Sequence, residues 1–320
     1  MNWKKRVLAV LVLGGVEIGL YHIINRVINR IALRSNELEK TNESSYFNWR
    51  FGRIFYEKRG RGKPILLIHD LNVSSSSYEW KHVVNTLSRT NTVYTLDLPG
   101  CGRSDKPNLT YTNFLYVQLI SDFIKNVITR PTDIIATGES GAFTLAAASY
   151  ESELIDRIML VNPKDFFSLG KMPTKLTKSL RFIINTPIVG TLLYNIFINA
   201  CTIKRKFSRS YFHDAGKVTK EIVAAYFMAS QLDKTRSKYL FSSLLSGYTN
   251  ANIIHNLKNI TNSVFIIVGS GDPKNRLIAD QYHHQLPSME IVDLDNAKML
   301  PQLEIPEDFL EQVRIFFEIH

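Results

Sequence analysis

The sequence has few cysteines and no local pattern typical of a metal site or a phosphate-binding loop. Its 320 residues include two cysteines, Cys101 and Cys201, which cannot form the framework of a disulfide-stabilised domain. No cluster of cysteine and histidine has the spacing of metal ligands, and no glycine-rich segment has the spacing of a phosphate loop. There is no internal repeat and no low-complexity tract. We therefore expect neither a metal ion nor a cofactor.

Acidic side chains are outnumbered by basic ones. Lys and Arg total 39 against 29 for Asp and Glu, so the formal net charge is +10. Hydrophobic residues make up 45% and charged residues 21%, which excludes a collagen-like, coiled-coil or wholly disordered chain. A basic surplus is typical of proteins that bind nucleic acid or an anionic membrane, and also of a merely solvated surface. Because the basic residues are spread out and no aromatic platform interleaves with them, we expect no nucleic-acid partner and favour proximity to a membrane.

An apolar stretch follows the basic start of the chain. It runs over residues 7–16 and continues past Glu17 to Ile24, which nearly reaches the roughly 20 residues of a spanning helix. We predict an N-terminal membrane anchor helix over residues 1–33 and a polar linker over residues 34–45. Positive charges on both flanks leave the side of the membrane open. The alternative is an amphipathic surface helix, whose apolar residues at helical spacing are Ile23, Ile24, Val27, Ile28 and Ile31.

Strand and helix patterns alternate along the rest of the chain. The apolar runs typical of buried strands are Ile65–Ile68, Val93–Leu96, Ile134–Ala136, Ile158–Val161, Val264–Val268 and Ile291–Leu294. Helical patterns lie between them, including one over residues 78–87, and a hairpin-like pair of runs precedes them. This alternation predicts the α/β class, with a parallel sheet and helices on both of its faces.

One long segment interrupts the alternation. Residues 166–257 contain helical patterns and no strand-like run, and they are notably basic around residues 204–209. We predict that this segment is a helical cap, or lid, over the edge of the sheet, where it would shape a pocket. The core domain would then comprise residues 46–165 and 258–320.

The strongest local motif is a serine between two glycines. Gly138-Glu139-Ser140-Gly141 follows an apolar strand and precedes a helical pattern, which is the context of a nucleophile elbow. The sharp turn would hold the Ser140 hydroxyl at the carboxyl edge of the sheet. The Gly141 N–H would then point at an oxyanion that develops on a substrate.

Two further stretches complete a family pattern. Ile68-His69-Asp70-Leu71 ends one strand, and the segment Leu96-Asp97-Leu98-Pro99-Gly100-Cys101-Gly102-Arg103-Ser104-Asp105-Lys106-Pro107 follows the next. Together with the serine elbow, they make the chain similar to the α/β-hydrolase superfamily. The chain resembles most the capped branch of epoxide hydrolases, haloalkane dehalogenases and many esterases. The resemblance covers roughly residues 46–317 and implies a mostly parallel sheet of the eight-stranded type.

The resemblance also implies an oxyanion hole. The Leu71 N–H would be its second donor, beside that of Gly141. Asp70 stands where the family has glycine, and a carboxylate there would repel an oxyanion if it pointed inward. His69 would be a structural residue that hydrogen-bonds the loop.

The acid of the catalytic triad has two candidates. Asp272 follows the strand Val264–Val268 as the family's acid does. Its alternative role is that of a turn aspartate capping the next helix. Asp165 lies where some capped members keep their acid, and it is the reserve.

The position of the catalytic histidine holds a methionine. Residues 300–307 keep the family's Leu-Pro-x-Leu-Glu-x-Pro-Glu, and in that register Met299 replaces histidine and Lys298 replaces glycine. A thioether does not accept a proton near neutral pH, so the ordinary triad mechanism cannot operate. Lys298 is the reserve base. Four histidines elsewhere are weaker alternatives: His213, His255, His283 and His284.

Two functions follow from these observations. The first is a membrane-anchored serine hydrolase that acts on an ester or related small acyl substrate, with an incomplete triad and weak or lost activity. The second is a non-catalytic member that binds a small ligand or a protein partner at the membrane. The expected partners are a small acyl or apolar molecule and a membrane surface, and the sequence leaves a protein partner open.

Overall fold

The computed structural model describes residues 19, 23–34, 38 and 42–319. Most of the predicted anchor and linker therefore lies outside the described residues. The described part of the anchor includes a helix over residues 23–32, which we call α1. In this part of the chain no single helix is both long and apolar enough to cross a membrane, while one pair bent by 106°, Lys175–Asn185 with Val189–Tyr211, meets the two conditions together.

A single sheet of eight strands organises the core. The strands are β1 (Ser44–Trp49), β2 (Gly52–Arg59), β3 (Lys63–Ile68), β4 (Asn91–Leu96), β5 (Thr132–Thr137), β6 (Ile155–Val161), β7 (Ser263–Gly269) and β8 (Glu290–Leu294). Their order across the sheet is β1-β2-β4-β3-β5-β6-β7-β8. The pairs β1–β2 and β2–β4 are antiparallel and the others are parallel. This confirms the predicted mostly parallel sheet, although β1 begins two residues inside the predicted linker.

Helices cover both faces of the sheet and bury two apolar layers. The core helices are α2 (Val84–Leu87), α3 (Asn113–Phe123), α4 (Glu139–Tyr150), α12 (Pro273–Gln285), α13 (Pro301–Glu304) and α14 (Pro306–Phe317). One face packs against α3, α4 and α12, and the other packs against α2 and α14. The central strands are apolar on both faces because both faces are covered.

The continuous helix predicted over residues 78–87 is wrong. The structure has a 3₁₀ turn at Ser77–Trp80, then a break, then the short α2. The Tyr78 N–H donates to Ser76 Oγ, and the Lys81 and Val83 N–H groups form i to i−3 bonds. This tighter winding turns Glu79 and Trp80 into the interior.

Between β6 and β7 the chain forms helices only. Residues 162–262 are described throughout and contain no strand. The helices are α5 (Phe166–Leu169), α6 (Lys175–Asn185), α7 (Val189–Phe197), α8 (Ala200–Lys206), α9 (Lys220–Gln231), α10 (Lys238–Leu245) and α11 (Ile254–Leu257). We call this segment the helical insertion.

Candidate active site

The turn between β5 and α4 has the geometry of a nucleophile elbow. Gly138 has φ 59° and ψ −124°, which a residue with a side chain rarely adopts. A Cβ at this position would also collide with the Asp70 carboxylate. Ser140 is the second residue of α4 and is fully buried. The structure thus places Ser140 where the motif predicts it.

The Ser140 hydroxyl is engaged with the backbone. Its Oγ donates to the carbonyl oxygen of His69 at 2.6 Å. A hydroxyl has one proton to donate, so this bond leaves none for a base. A peptide carbonyl cannot remove that proton, and Ser140 is therefore not activated in this arrangement.

His69 has the contacts of a structural residue. Its Nε2 accepts from the Leu98 N–H at 3.0 Å, which leaves Nδ1 to donate to the Asp70 carbonyl at 2.8 Å. Burial lowers the pKa of His69, with Asp97 as the main opposing influence. Both ring nitrogens thus hold loops together.

Asp70 points at the start of the helix that carries the serine. Its Oδ1 accepts from the Glu139 N–H at 3.0 Å, at the positive end of α4. Leu71 follows in the same loop and its side chain is buried in the core. The Gly141 N–H donates within the first turn of α4, to the Gly138 carbonyl at 3.3 Å. The predicted oxyanion donors thus flank a carboxylate.

Met299 comes to the same turn from the other end of the chain. A Cβ built on Gly138 would lie 3.0 Å from Met299 Cε and would clash with Asp70 Oδ1, so both groups lie against this glycine. The Met299 N–H donates to the Tyr211 carbonyl at 3.0 Å. The position predicted for the catalytic base therefore holds a thioether beside a carboxylate.

The two acid candidates cap helices. Asp272 precedes α12 and accepts from the Lys274 N–H at 3.1 Å. Asp165 precedes α5 and accepts from the Ser168 N–H at 2.8 Å. Each carboxylate thus has the capping role that was the alternative for Asp272.

The alternative bases lie at exposed positions or point elsewhere. Lys298 Nζ donates to the Arg209 carbonyl at 3.2 Å. The His213 ring lies against Gly271, next to the acid candidate Asp272, but is exposed. The other three are exposed as well: His255, His283 and His284. Ser140 has no described contact with any of them.

A buried polar network beneath the elbow went unpredicted. Glu79 Oε1 accepts from Gln302 Nε2 at 2.9 Å, and the same nitrogen donates to Thr137 Oγ1 at 3.1 Å. Glu79 Oε2 accepts from the Asp70 N–H at 3.4 Å. Burial, and then the Asp70 charge, raise the pKa of Glu79 to about 8. The only sequence signal was indirect: Gln302 is the x residue of the Leu-Pro-x-Leu-Glu segment, a position to which the family pattern assigns no role.

An ion pair ties the elbow to the helical insertion. Lys164 Nζ lies 2.7 Å from Glu139 Oε2 and 3.0 Å from Asn250 Oδ1. Burial raises the pKa of Glu139, although Lys164 opposes it. The residue between Gly138 and Ser140 is therefore held by a partner that the motif did not indicate.

Aromatic side chains of the insertion fill the space above the elbow. Phe207 meets Tyr211, Phe212 and Tyr226 edge-on, with ring centroids 4.7 to 5.3 Å apart. Met299 packs against this cluster. A cavity of about 90 Å³ remains beside it, lined by residues that include Asn72, Ser74, Phe207, Tyr211 and Tyr226. Ser140 lines none of the four cavities that we measured between described residues.

Among the described residues, no group of three or more His, Cys, Asp and Glu side chains is placed to hold a metal ion. The groups gathered at the elbow are the buried Ser140, the carboxylates of Asp70, Glu79 and Glu139, the Met299 thioether and the aromatic cluster.

Similar proteins share this scaffold. A solved serine hydrolase involved in carbazole degradation (CarC enzyme) superposes with a TM-score of 0.68 at 17% identity, over 87% of this chain and 99% of that one. The meta-cleavage product hydrolase of Pseudomonas fluorescens IP01 gives 0.68 at 19% identity, over 88% and 98%. At sequence identities this low, the structural similarity shows only that these proteins share the fold.

Sequence similarity to curated proteins is partial. A 2-hydroxy-6-oxo-6-(2'-aminophenyl)hexa-2,4-dienoic acid hydrolase of Metapseudomonas resinovorans is 30% identical over 132 residues, which cover 41% of this chain and 43% of that protein. A haloalkane dehalogenase of Agrobacterium fabrum is 26% identical over 111 residues, 35% of this chain and 36% of that protein. The match to each spans less than half of the relative's length.

Residues 65–312 match the protein family described as "Alpha/beta hydrolase family". This range extends from β3 to α14 and contains the elbow, the insertion and the methionine segment. The chain therefore belongs to the alpha/beta hydrolase family.

Proposed function

We propose that this chain keeps the scaffold and elbow of a serine hydrolase for small esters or acyl compounds, has lost the triad reaction, and binds such a compound at the site. The observation that carries the proposal is the pair of groups against Gly138. Met299 stands in the register of the catalytic histidine, and the Asp70 carboxylate stands beside it.

The electrostatics of the elbow support the loss of acyl transfer. Two like unit charges about 4 Å apart repel by about 4 kcal/mol at an effective dielectric of 20. An oxyanion formed at Ser140 would meet the Asp70 carboxylate, which already accepts the Glu139 N–H at the start of α4. The N-terminus of α4 would favour the negative charge of an oxyanion, but the Asp70 carboxylate already supplies a negative charge there.

The surroundings of the site favour a small apolar or acyl ligand. The cavity beside the aromatic cluster is lined by Phe207, Tyr211 and Tyr226 on the insertion side and by Asn72 and Ser74 on the loop side. Apolar walls with a few polar groups are typical of small-molecule sites. At about 90 Å³ the cavity is small, so a ligand larger than a short acyl group requires the aromatic cluster to move.

A slow serine hydrolase is the second candidate. The retained Ser140 at the N-terminus of α4 favours it, because hydrolases that lose one triad member still accelerate hydrolysis by roughly 10³–10⁴-fold over water. In that case Asp272 would be the acid and the Leu71 and Gly141 N–H groups the oxyanion donors.

Thermal unfolding of the full chain with 4-methylumbelliferyl butyrate tests the binding proposal. The probe should raise the unfolding midpoint of the native chain, and Ser74→Leu should abolish the shift because its side chain fills the cavity. Ser179→Leu, at an exposed position on α6, is the matched control. A shift that survives Ser74→Leu would place the probe elsewhere.

Hydrolysis of the same probe separates the two candidates. The first predicts equal rates for the native chain and Ser140→Ala. A rate that falls with Ser140→Ala would establish the slow hydrolase instead.

A further inference from the structure

The start of the helical insertion is basic without any acidic residue. Residues 166–213 contain eight Lys and Arg and no Asp or Glu. The eight are Lys171, Lys175, Lys178, Arg181, Lys204, Arg205, Lys206 and Arg209. A stretch of 48 residues with charge of one sign carries a substantial part of the chain's basic surplus and attracts an anionic partner.

The same segment exposes large apolar side chains. On α6, Leu176 is 80% exposed and Phe182 is 76% exposed. Other exposed apolar residues of the segment are Phe167, Met172, Leu180, Ile183, Val189, Ile196 and Phe197. Leu176, Leu180 and Ile183 follow helical spacing and form a stripe along α6, and Phe182, about 100° around the helix from Ile183, widens the exposed apolar surface. Contiguous exposed apolar surface of this kind marks an interaction site.

The helix α1 adds a second outward stripe. Its Asn25 side chain faces the insertion, where it accepts from Asn195 Nδ2 at 2.8 Å. Asn29 Nδ2 donates to the Gln231 carbonyl at 2.6 Å. Its apolar residues Val27 and Ile31 are 47% and 54% exposed. The helix thus packs Ile28 and Ala32, together with its amides, against the insertion and leaves Val27 and Ile31 exposed.

These elements are adjacent. Asn25 contacts α7 through Asn195 and the Ile188 carbonyl, and α7 packs against α6. Their lengths, 11 residues for α6 and 9 for α7, are too short to cross a hydrocarbon core of about 30 Å at 1.5 Å per residue. Helices with an apolar and a basic face lie in the plane of a bilayer interface. The α6 helix carries both kinds of residue, while α7 contributes apolar residues only.

We propose that α1, α6 and α7 form a docking surface for an anionic lipid bilayer. The outward stripes enter the boundary between headgroups and acyl chains, and the surrounding lysines and arginines contact anionic headgroups. This surface combines α1, which lies within the predicted anchor, with two helices of the insertion, and it does not depend on the proposed function of the elbow.

Depth-sensitive labelling of the full chain tests the proposal. Cys101 is buried and Cys201 is exposed, so Cys201→Ser gives a background without an accessible thiol. Phe182→Cys in that background carries an NBD fluorophore on α6. Ile315→Cys, at a position 62% exposed on α14, is the matched control. Because the label reports on α6 itself, an anchor elsewhere in the chain does not produce the signal.

The label is read on vesicles of phosphatidylcholine alone and with 30% phosphatidylglycerol. The proposal predicts a blue shift and quenching by acyl-chain doxyl groups at position 182 on the anionic vesicles, with no change at position 315. No response at 182, or equal responses at both positions, would overturn it. A blue shift at 182 that depends on protein concentration without vesicles would show that a second copy covers the surface, which also overturns it.

Charge removal tests the electrostatic part. Lys175→Gln with Lys178→Gln should weaken partitioning to anionic vesicles by roughly fivefold for each lysine. The control pair, Lys258→Gln with Lys274→Gln, lies outside residues 166–213 at exposed positions. Equal losses for both pairs would reduce the effect to net charge and contradict a defined surface.

Discussion

Ser140 Oγ donates its hydrogen bond to the backbone carbonyl of His69 at 2.6 Å. In a working triad the same proton is directed at an imidazole, which removes it as the serine attacks. Here the position predicted for that imidazole holds Met299, and the serine proton is directed at a peptide oxygen. The helix that presents the serine is therefore in place, while in our proposal the group that would activate it is absent.

Restoring a base at position 299 should create activity. Met299→His is expected to raise Ser140-dependent hydrolysis of 4-methylumbelliferyl butyrate by at least roughly 100-fold, the lower end of general-base contributions. Adding Asp70→Gly should raise it further, because the oxyanion no longer meets a carboxylate. Met299→Gln, of similar length without a base, is the control. Equal rates for the histidine and glutamine variants would contradict the register.

Gly138 should tolerate no side chain. Gly138→Ala places a Cβ at φ 59° against Asp70 and Met299, and we expect a loss of about 1–3 kcal/mol in the free energy of unfolding. Gly170→Ala, at φ −82°, is the control and should change stability much less. Denaturant unfolding measures both. If Asp70→Gly restores part of the loss in Gly138→Ala, the collision with the carboxylate is its cause.

Glu79 should make stability fall as the pH rises. Its pKa is raised to about 8 by burial and by Asp70, so the folded state binds a proton that the unfolded state has released. The free energy of unfolding then decreases by up to about 1.4 kcal/mol per pH unit between the two pKa values. The lowered pKa of His69 makes the free energy of unfolding increase with pH, but at lower pH. The lowered pKa of Lys106, about 8, makes it increase with pH at higher pH.

Between pH 6.5 and pH 8 Glu79 should therefore make stability fall, and the raised pKa of Glu139 has an effect of the same sign. Urea unfolding of the native chain should show a falling slope there, and Glu79→Gln should flatten it. Glu311→Gln, which removes one charge at an exposed position, controls for net charge. A slope that persists in Glu79→Gln would assign it to another group.

Removal of the His69 side chain should lower the free energy of unfolding. His69→Ala removes the acceptor of the Leu98 N–H and the donor to the Asp70 carbonyl, and it leaves a cavity in a fully buried site. We expect a loss of about 2–5 kcal/mol. Thermal and urea unfolding measure it. A stable His69→Ala variant would contradict the structural role.

Much of the architecture follows from the sequence. The apolar runs that predicted strands β3 to β7 are buried on both faces, so their pattern depends mainly on local burial, while the edge strand β8 is partly exposed. The elbow was predictable because the glycine, the serine and the strand before them are contiguous. The register of Met299 rests on the flanking Leu-Pro-x-Leu-Glu and stays a prediction.

The unpredicted parts depend on contacts between distant segments. Glu79 lies 223 residues from Gln302 in the chain, and only the fold makes their amide–carboxyl bond visible. The Asp70 carboxylate was expected near the oxyanion hole, but its acceptance of the Glu139 N–H depends on how the β3 loop meets α4. The break after Trp80 was missed because the apolar spacing of this segment is compatible with a longer helix. Burial of Glu79 and Trp80 requires the tighter 3₁₀ turn at Ser77–Trp80.

Fluorophosphonate labelling of the native full chain tests the central claim most directly, with Ser140→Ala as the background and Met299→His as the positive control. A serine whose proton is directed at a peptide carbonyl beside a carboxylate should not react. We predict that the native chain labels no faster than Ser140→Ala, while Met299→His labels. Ser140-dependent labelling of the native chain would contradict the claim that the triad reaction has been lost.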